Sequence, residues 1–273
     1  MSAPAVTRRA GRGLLVPVAV VLLWTAVAVL WPWLAPHDPA LQDPALRFRP
    51  PGPGHWLGTD QFGRDVLSRV LAGARPVLVV APLATALGVL VGAAVGLVTG
   101  TVRGWLDDVV MRVADAVMVF PTVIAAVLFI ALLGRSPTVV VVVVGAAFVP
   151  IVARSVRAAT LVEREKPYID AARLRGEPLP SLMLREILPN IRATVLVEAT
   201  TRLGDAVFAA ATLSFLGLGQ PPGSPEWGAA VSDNRLWLQV APWTVLAPAL
   251  AIGSLVVAVA LLSDALRHRL EAP

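Results

Sequence analysis

The chain has 273 residues, 56% of them in the set AVILMFWYC and only 15% charged, with a mean hydropathy of +0.74. Soluble domains carry roughly a quarter charged residues. A disordered chain is therefore excluded and an ordinary soluble enzyme disfavoured, because one compact core cannot hide this much apolar surface. The absence of cysteine removes disulfides and thiolate chemistry, and His37, His55 and His268 are too scattered for the usual zinc spacings. The only lysine, Lys166, precedes Pro167, so the chain has no Gly-Lys-Ser/Thr P-loop with which to bind ATP. A net charge of +5 in so apolar a chain fits basic membrane loops better than nucleic-acid binding.

Six apolar stretches approach the roughly 20 residues needed to cross a bilayer. They lie near 14–34, 76–100, 113–134, 137–156, 193–216 and 241–263. The first follows Arg8, Arg9 and Arg12 and ends in Trp31-Pro32-Trp33 with no A-x-A site, which favours an uncleaved anchor over a signal peptide. With residues 1–13 as a cytoplasmic tail, inside segments carry 15 basic residues and outside segments 7. The expectation is an all-α membrane protein with six transmembrane helices and both termini cytoplasmic, residues 14–273 forming a single domain. Segments 35–75 and 217–240 are then outer loops and 158–190 the largest inner one. A separate short helix is expected over 65–72, and prolines 17, 82, 121, 150 and 248 imply kinks within spans.

Gly88, Gly92 and Gly96 recur every four residues in the second stretch, a small-residue face for close helix packing. In the fifth stretch, Glu198, Arg202 and Asp205 fall on one helical face. They make either a polar strip along a path or permease interface, or an intrahelical ion pair, Glu198 with Arg202 in the favourable i,i+4 order, that keeps the helix insertable; the second reading is favoured.

Segment 168–190 is the most informative. A helix starts near Pro167, with Asp170 close to its positive end. Ala171 and Ala172 give it a side-chain-poor face, and Gly176 ends it. A second short helix runs from about Pro180 and ends before Pro189. Such a hairpin suits insertion into another protein's groove, or adsorption to the inner leaflet through Arg173 and Arg175.

This segment resembles the EAA loop of ABC-importer permeases. Asp170, Ala171, Ala172, Gly176, Leu188 and Pro189 stand in register with it, aspartate replacing the usual glutamate. Gly58-Thr-Asp60-Gln-Phe-Gly63-Arg64-Asp65 is similar to a signature of the dipeptide, oligopeptide and nickel permeases, as is Leu213-Ser-Phe-Leu-Gly-Leu-Gly219 followed by Trp227. The resemblance implies the MetI-like fold of a type I importer and the C-type permease of a pair. It implies a second homologous permease, two ABC ATPase subunits that bind the ATP, and an extracytoplasmic solute-binding protein. It also implies an inner-membrane location, no catalytic residue, cofactor or metal in this chain, and peptides as solute ahead of nickel. Gly58, Asp60, Gly63, Arg64, Asp65, Trp227 and Trp237 are candidates for the outward side. The rivals are a proton-coupled secondary transporter relaying through Glu198, Arg202 and Asp205, and a non-transporting scaffold.

Overall fold

The computed structural model describes residues 6–221 and 223–271. Its elements are helical: α1 Val6–Leu34, α2 Val66–Val102, α3 Trp105–Val119, α4 Thr122–Leu133, α5 Pro137–Glu163, α6 Pro167–Leu174, a single turn α7 Leu179–Ser181, α8 Leu188–Phe215, α9 Trp227–Asn234 and α10 Trp243–Glu271. Among the described residues strand pairing is confined to two isolated bridges, Gly52 with His55 and Thr59 with Asp65.

The helices run between two ends. One end, the cap, gathers segment 35–65 and the segment between α8 and α10. The other, the hairpin end, gathers the α2–α3 turn and α6. Trp24 Nε1 of α1 donates to Ser254 Oγ of the antiparallel α10 at 2.9 Å, which places the start of α1 and the end of α10 at the hairpin end.

Among the described residues four helices are long and apolar enough to cross a membrane: 14–34 of α1, all of α2 and α5, and 243–269 of α10. A fifth crossing is available if the bent pair α3–α4 serves as one span. α8 is long enough but carries Glu198, Arg202 and Asp205, so its composition alone does not mark it as a span.

Three expectations are corrected. The helix expected over 65–72 is not separate; it is the opening of α2, which starts at Val66 with Asp65 as its N-cap and runs on through Pro76 and Pro82. The third stretch is not one helix: α3 and α4 meet at 89°. Pro121 disfavours the helical conformation for the residue before it, and Phe120 sits at φ −75, ψ 129, ending α3. The second loop helix does not stop before Pro189. A π-helical turn, Leu182–Ile187, leads directly into α8. A proline ring clashes with the carbonyl four residues back; the wider turn bonds Leu188 N to the Met183 carbonyl and carries the helix into Pro189.

α2 against α5 is the organising contact. A Cβ added at Gly88, Gly92 or Gly96 would lie 2.8, 2.9 or 2.4 Å from the carbonyl oxygens of Gly145, Val149 and Ala153 on α5. Gly100 extends the row against Thr160. With no side chain from α2 at these positions, its backbone lies directly against the carbonyls and side chains of α5, and dispersion and close packing replace the hydrophobic force that lipid does not supply. The glycine face expected from the sequence is thus a helix seam.

Candidate functional site

Pro167 opens α6 in the first turn, where a missing N–H costs nothing. Arg175 caps the helix and Gly176 turns the chain at φ +75. Gly176 N donates to the Arg173 carbonyl at 2.9 Å and Glu177 N to the Ala172 carbonyl at 3.2 Å, the paired bonds of a glycine-terminated helix. Nothing lies within 4 Å of a Cβ built at Gly176, so the constraint there is backbone conformation, not space.

The two alanines do not share a face. Ala172 is fully buried with Ile169, against Leu182, Ile187 and Ile191 and against Val152 and Val156 of α5. Adjacent helical residues point about 100° apart, so Ala171 and Asp170 are turned outward. Leu174, at the tip, is 89% exposed. Asp170 pairs with Arg173 at 3.2 Å. The hairpin therefore has an inner face keyed into the bundle and an outer face of Asp170, Ala171 and Leu174. Leu188 is half-buried and Pro189 exposed where α8 begins.

Two contacts tie this hairpin to the seam. Arg164 Nη1 donates to the carbonyls of Gly100 (3.1 Å) and Thr101 (2.8 Å), in the last turn of α2. Burial, helped by Arg173 and Arg103, lowers the Arg164 pKa from its ordinary value. The Tyr168 hydroxyl donates to Glu163 Oε1 at 2.5 Å; burial and that carboxylate push its pKa up to about 12. Neither contact is visible in the sequence, since each joins residues whose proximity is tertiary or depends on how the chain leaves α5.

At the cap, the segment 58–69 is a fastening. Asp60 accepts from Phe62 N (2.8 Å), Arg64 N (3.0 Å) and Arg64 Nε (2.7 Å). Arg69 reaches the carbonyls of Pro39 (3.1 Å) and Ser224 (3.1 Å), joining both cap segments. Asp65 Oδ2 accepts from Ser68 N and Oγ at 2.8 and 2.7 Å. Gly58 and Gly63 have positive φ, and a Cβ there would lie 2.6 Å from Arg49 O and 1.7 Å from Asp43 O. All five signature residues are buried. Trp227 is 1% exposed, donates to the Val70 carbonyl at 2.7 Å and meets Trp24 edge-on. Trp237, half-buried, donates to Gln61 Oε1 at 2.9 Å. The run 213–219 ends α8 and turns at Gly217; Ser214 Oγ donates to buried Glu226 at 2.7 Å and accepts from Ala229 N at 3.0 Å.

On α8, Arg202 Nε lies 3.3 Å from Glu198 Oε2, and its Nη1 bonds Asp205. Arg202 also stands 5.9 Å over the Phe148 ring of α5. The three residues meet as one ion group.

The comparisons with known proteins agree with one another. Residues 88–272 match the family described as "Binding-protein-dependent transport system inner membrane component". The dipeptide transport system permease protein DppC of Alkalihalophilus pseudofirmus is 35% identical over 94% of this chain and 84% of its own length. The glutathione transport system permease protein GsiD of Pectobacterium atrosepticum is 37% identical over 92% of this chain and 84% of its own. A Brucella suis protein, named provisionally as a peptide transport system permease, is 39% identical over 95% of this chain and 88% of its own. The chain is a multi-pass membrane protein and belongs to the family of binding-protein-dependent transport system inner membrane components.

Proposed function

We propose that the chain is one permease subunit of an ATP-driven peptide importer, paired with a second homologous permease, two ABC ATPase subunits and an extracytoplasmic binding protein. The observation that carries this reading is the two-faced hairpin. Ile169 and Ala172 seat α6 against the turn 182–187, in a buried cluster that also holds residues of α2 and α5, while Asp170, Ala171 and Leu174 face outward for another protein. In this reading α3–α4 and α8 complete six crossings, and the hairpin end with both termini is cytoplasmic. ATP is held and hydrolysed by the ATPases, and this chain performs no chemistry. ATPase closure moves α6, α6 moves α2 and α5, and each state is selected by its contacts with the binding protein outside and the ATPases inside. Peptide as the solute class rests on the printed names of the relatives. Glu198 and Arg202 act as an intrahelical ion pair in α8 in preference to a proton relay, with Asp205 a second carboxylate on the same guanidinium.

The natural chain has no cysteine, so single-cysteine variants report without background. Cysteines at Pro53 and Gly223 are expected to react with an impermeant thiol reagent in intact cells, and one at Gly176 only after lysis. A cysteine at Leu174 is expected to cross-link to an ATPase subunit in the assembled transporter. Labelling of Gly176 from outside, or no cross-link, contradicts the reading.

A further inference from the structure

We propose that His37, His55 and Asp65, at the cap end, form a binding site for one divalent transition metal ion of the zinc class. The sequence separates these residues, but the fold brings them together. His37 follows the end of α1, His55 lies in the bridged turn with Gly52, and Asp65 caps α2. Their donor atoms all lie within 4.8 Å of one another.

Three observations carry the assignment. Both imidazoles direct Nδ1 toward the same carboxylate oxygen: His55 Nδ1 is 2.9 Å and His37 Nδ1 3.8 Å from Asp65 Oδ1. Zinc bonds of about 2.0–2.1 Å in tetrahedral geometry separate neighbouring donors by about 3.3 Å, a value the two distances bracket. Second, His37 Nδ1 is enclosed without any hydrogen-bond partner. An enclosed polar atom left unpaired is costly, and a cation between the rings and Asp65 would satisfy it. Third, the surroundings hold the ligands in place. Asp65 Oδ2 is fixed by Ser68 N and Oγ, Ser68 Oγ also accepts from His37 N at 3.1 Å, and the two rings stack at 4.7 Å. Outer hydrogen bonds of this kind orient ligands in metal sites.

Two nitrogens and one carboxylate favour zinc-like ions over magnesium or calcium, which take oxygen sets. His37 is the more exposed ring and turns to complete the set. To bind through Nδ1, neutral His55 carries its single ring proton on Nε2, so a proton resting on Nδ1 exchanges through solvent to Nε2 with no net loss from the ring. Three protein ligands leave a fourth position for water. The bound ion would tie the end of α1 to the start of α2.

The test uses the full chain in lipid nanodiscs, purified on a tag without histidine, stripped with chelator and titrated with zinc chloride. The wild type is expected to bind about one zinc per chain. His37→Ala and His55→Ala are expected to weaken binding at least about tenfold, while His268→Ala, exposed near the end of α10, changes nothing. Zinc is expected to raise the unfolding temperature of the wild type and not of His37→Ala. Absence of zinc binding by the wild type, as a purely hydrogen-bonded His–Asp group would give, overturns the proposal. So does equal binding, or an equal rise in unfolding temperature, in the His37 and His55 variants.

Discussion

Arg164, the first residue after α5, places its guanidinium 2.8 Å from the carbonyl oxygen of Thr101, in the last turn of α2. Cationic groups stabilise a helix C-terminus, where the carbonyls lack intrahelical partners. The same group also holds Gly100, the last glycine of the seam. The start of the hairpin is thus fastened to the end of α2, and α6 cannot shift without loading the seam.

Arg164→Ala removes both bonds and leaves the two carbonyls to find other donors, at a cost of about 1.5–3 kcal/mol for charge-assisted hydrogen bonds. Hydrogen exchange of the amides from 164 to 177 is expected to quicken while that of the α2–α5 seam stays slow. Arg164→Lys, with one compact ammonium, is expected to recover part of the protection.

The seam itself has no room for a side chain. Gly92→Leu puts a branched side chain where even its first carbon, Cβ, would lie 2.7 Å from Val152 Cβ. Separating α2 from α5 is expected to abolish accumulation of the folded chain. Ala86→Leu, on the same helix but exposed to the surroundings, is expected to accumulate normally, as judged by detergent-resistant monodispersity.

The ion group of α8 gives an ordered series. Glu198→Gln leaves Arg202 paired with Asp205 and is expected to assemble well. Arg202→Met leaves two carboxylates without their cation and is expected to assemble worst, since stranding a charge in an apolar setting costs more than removing the whole set. The triple variant Glu198→Gln, Arg202→Met, Asp205→Asn is expected to recover assembly. Recovery of assembly without transport would place the group on the solute path.

Trp227 shows how the cap is held. Trp227→Ala removes a buried indole and is expected to cost on the order of 3 kcal/mol. Trp227→Phe keeps most of the volume but loses the indole N–H bond to the Val70 carbonyl. In thermal unfolding it is expected to fall between the wild type and Trp227→Ala.

Features that depend on spacing along one helix are legible in the sequence. The glycines at intervals of four make the seam, Gly176 ends α6 with positive φ, and Glu198, Arg202 and Asp205 meet on one face. Features that depend on which elements meet are not. Ala171 and Ala172 look like one small face in the sequence, but the burial of Ala172 is decided by Ile187 and Val156, which lie far from it in the chain or on another helix. Pro121 predicts a kink; the size of the bend depends on α4 packing against α5. His37 and His55 look scattered because their approach is set by the return of the chain from α1 to the cap of α2.

The outer face of α6 is the most direct place to test the coupling role of the hairpin. Ala171→Arg and Leu174→Arg add bulk and charge to exposed positions and leave Ile169 and Ala172 in their pocket, so thermal unfolding of the chain is expected to be unchanged. Gly176→Val, by contrast, forces a β-branched residue to positive φ at about 1–2 kcal/mol and is expected to loosen the hairpin as well. The decisive measurement is ATPase activity of the reconstituted transporter with and without peptide-loaded binding protein. Ala171→Arg and Leu174→Arg are expected to insert and fold normally yet lose ATPase co-purification or its stimulation. Full stimulation and wild-type transport in both variants would contradict the coupling role, leaving α6 as a helix at the membrane surface.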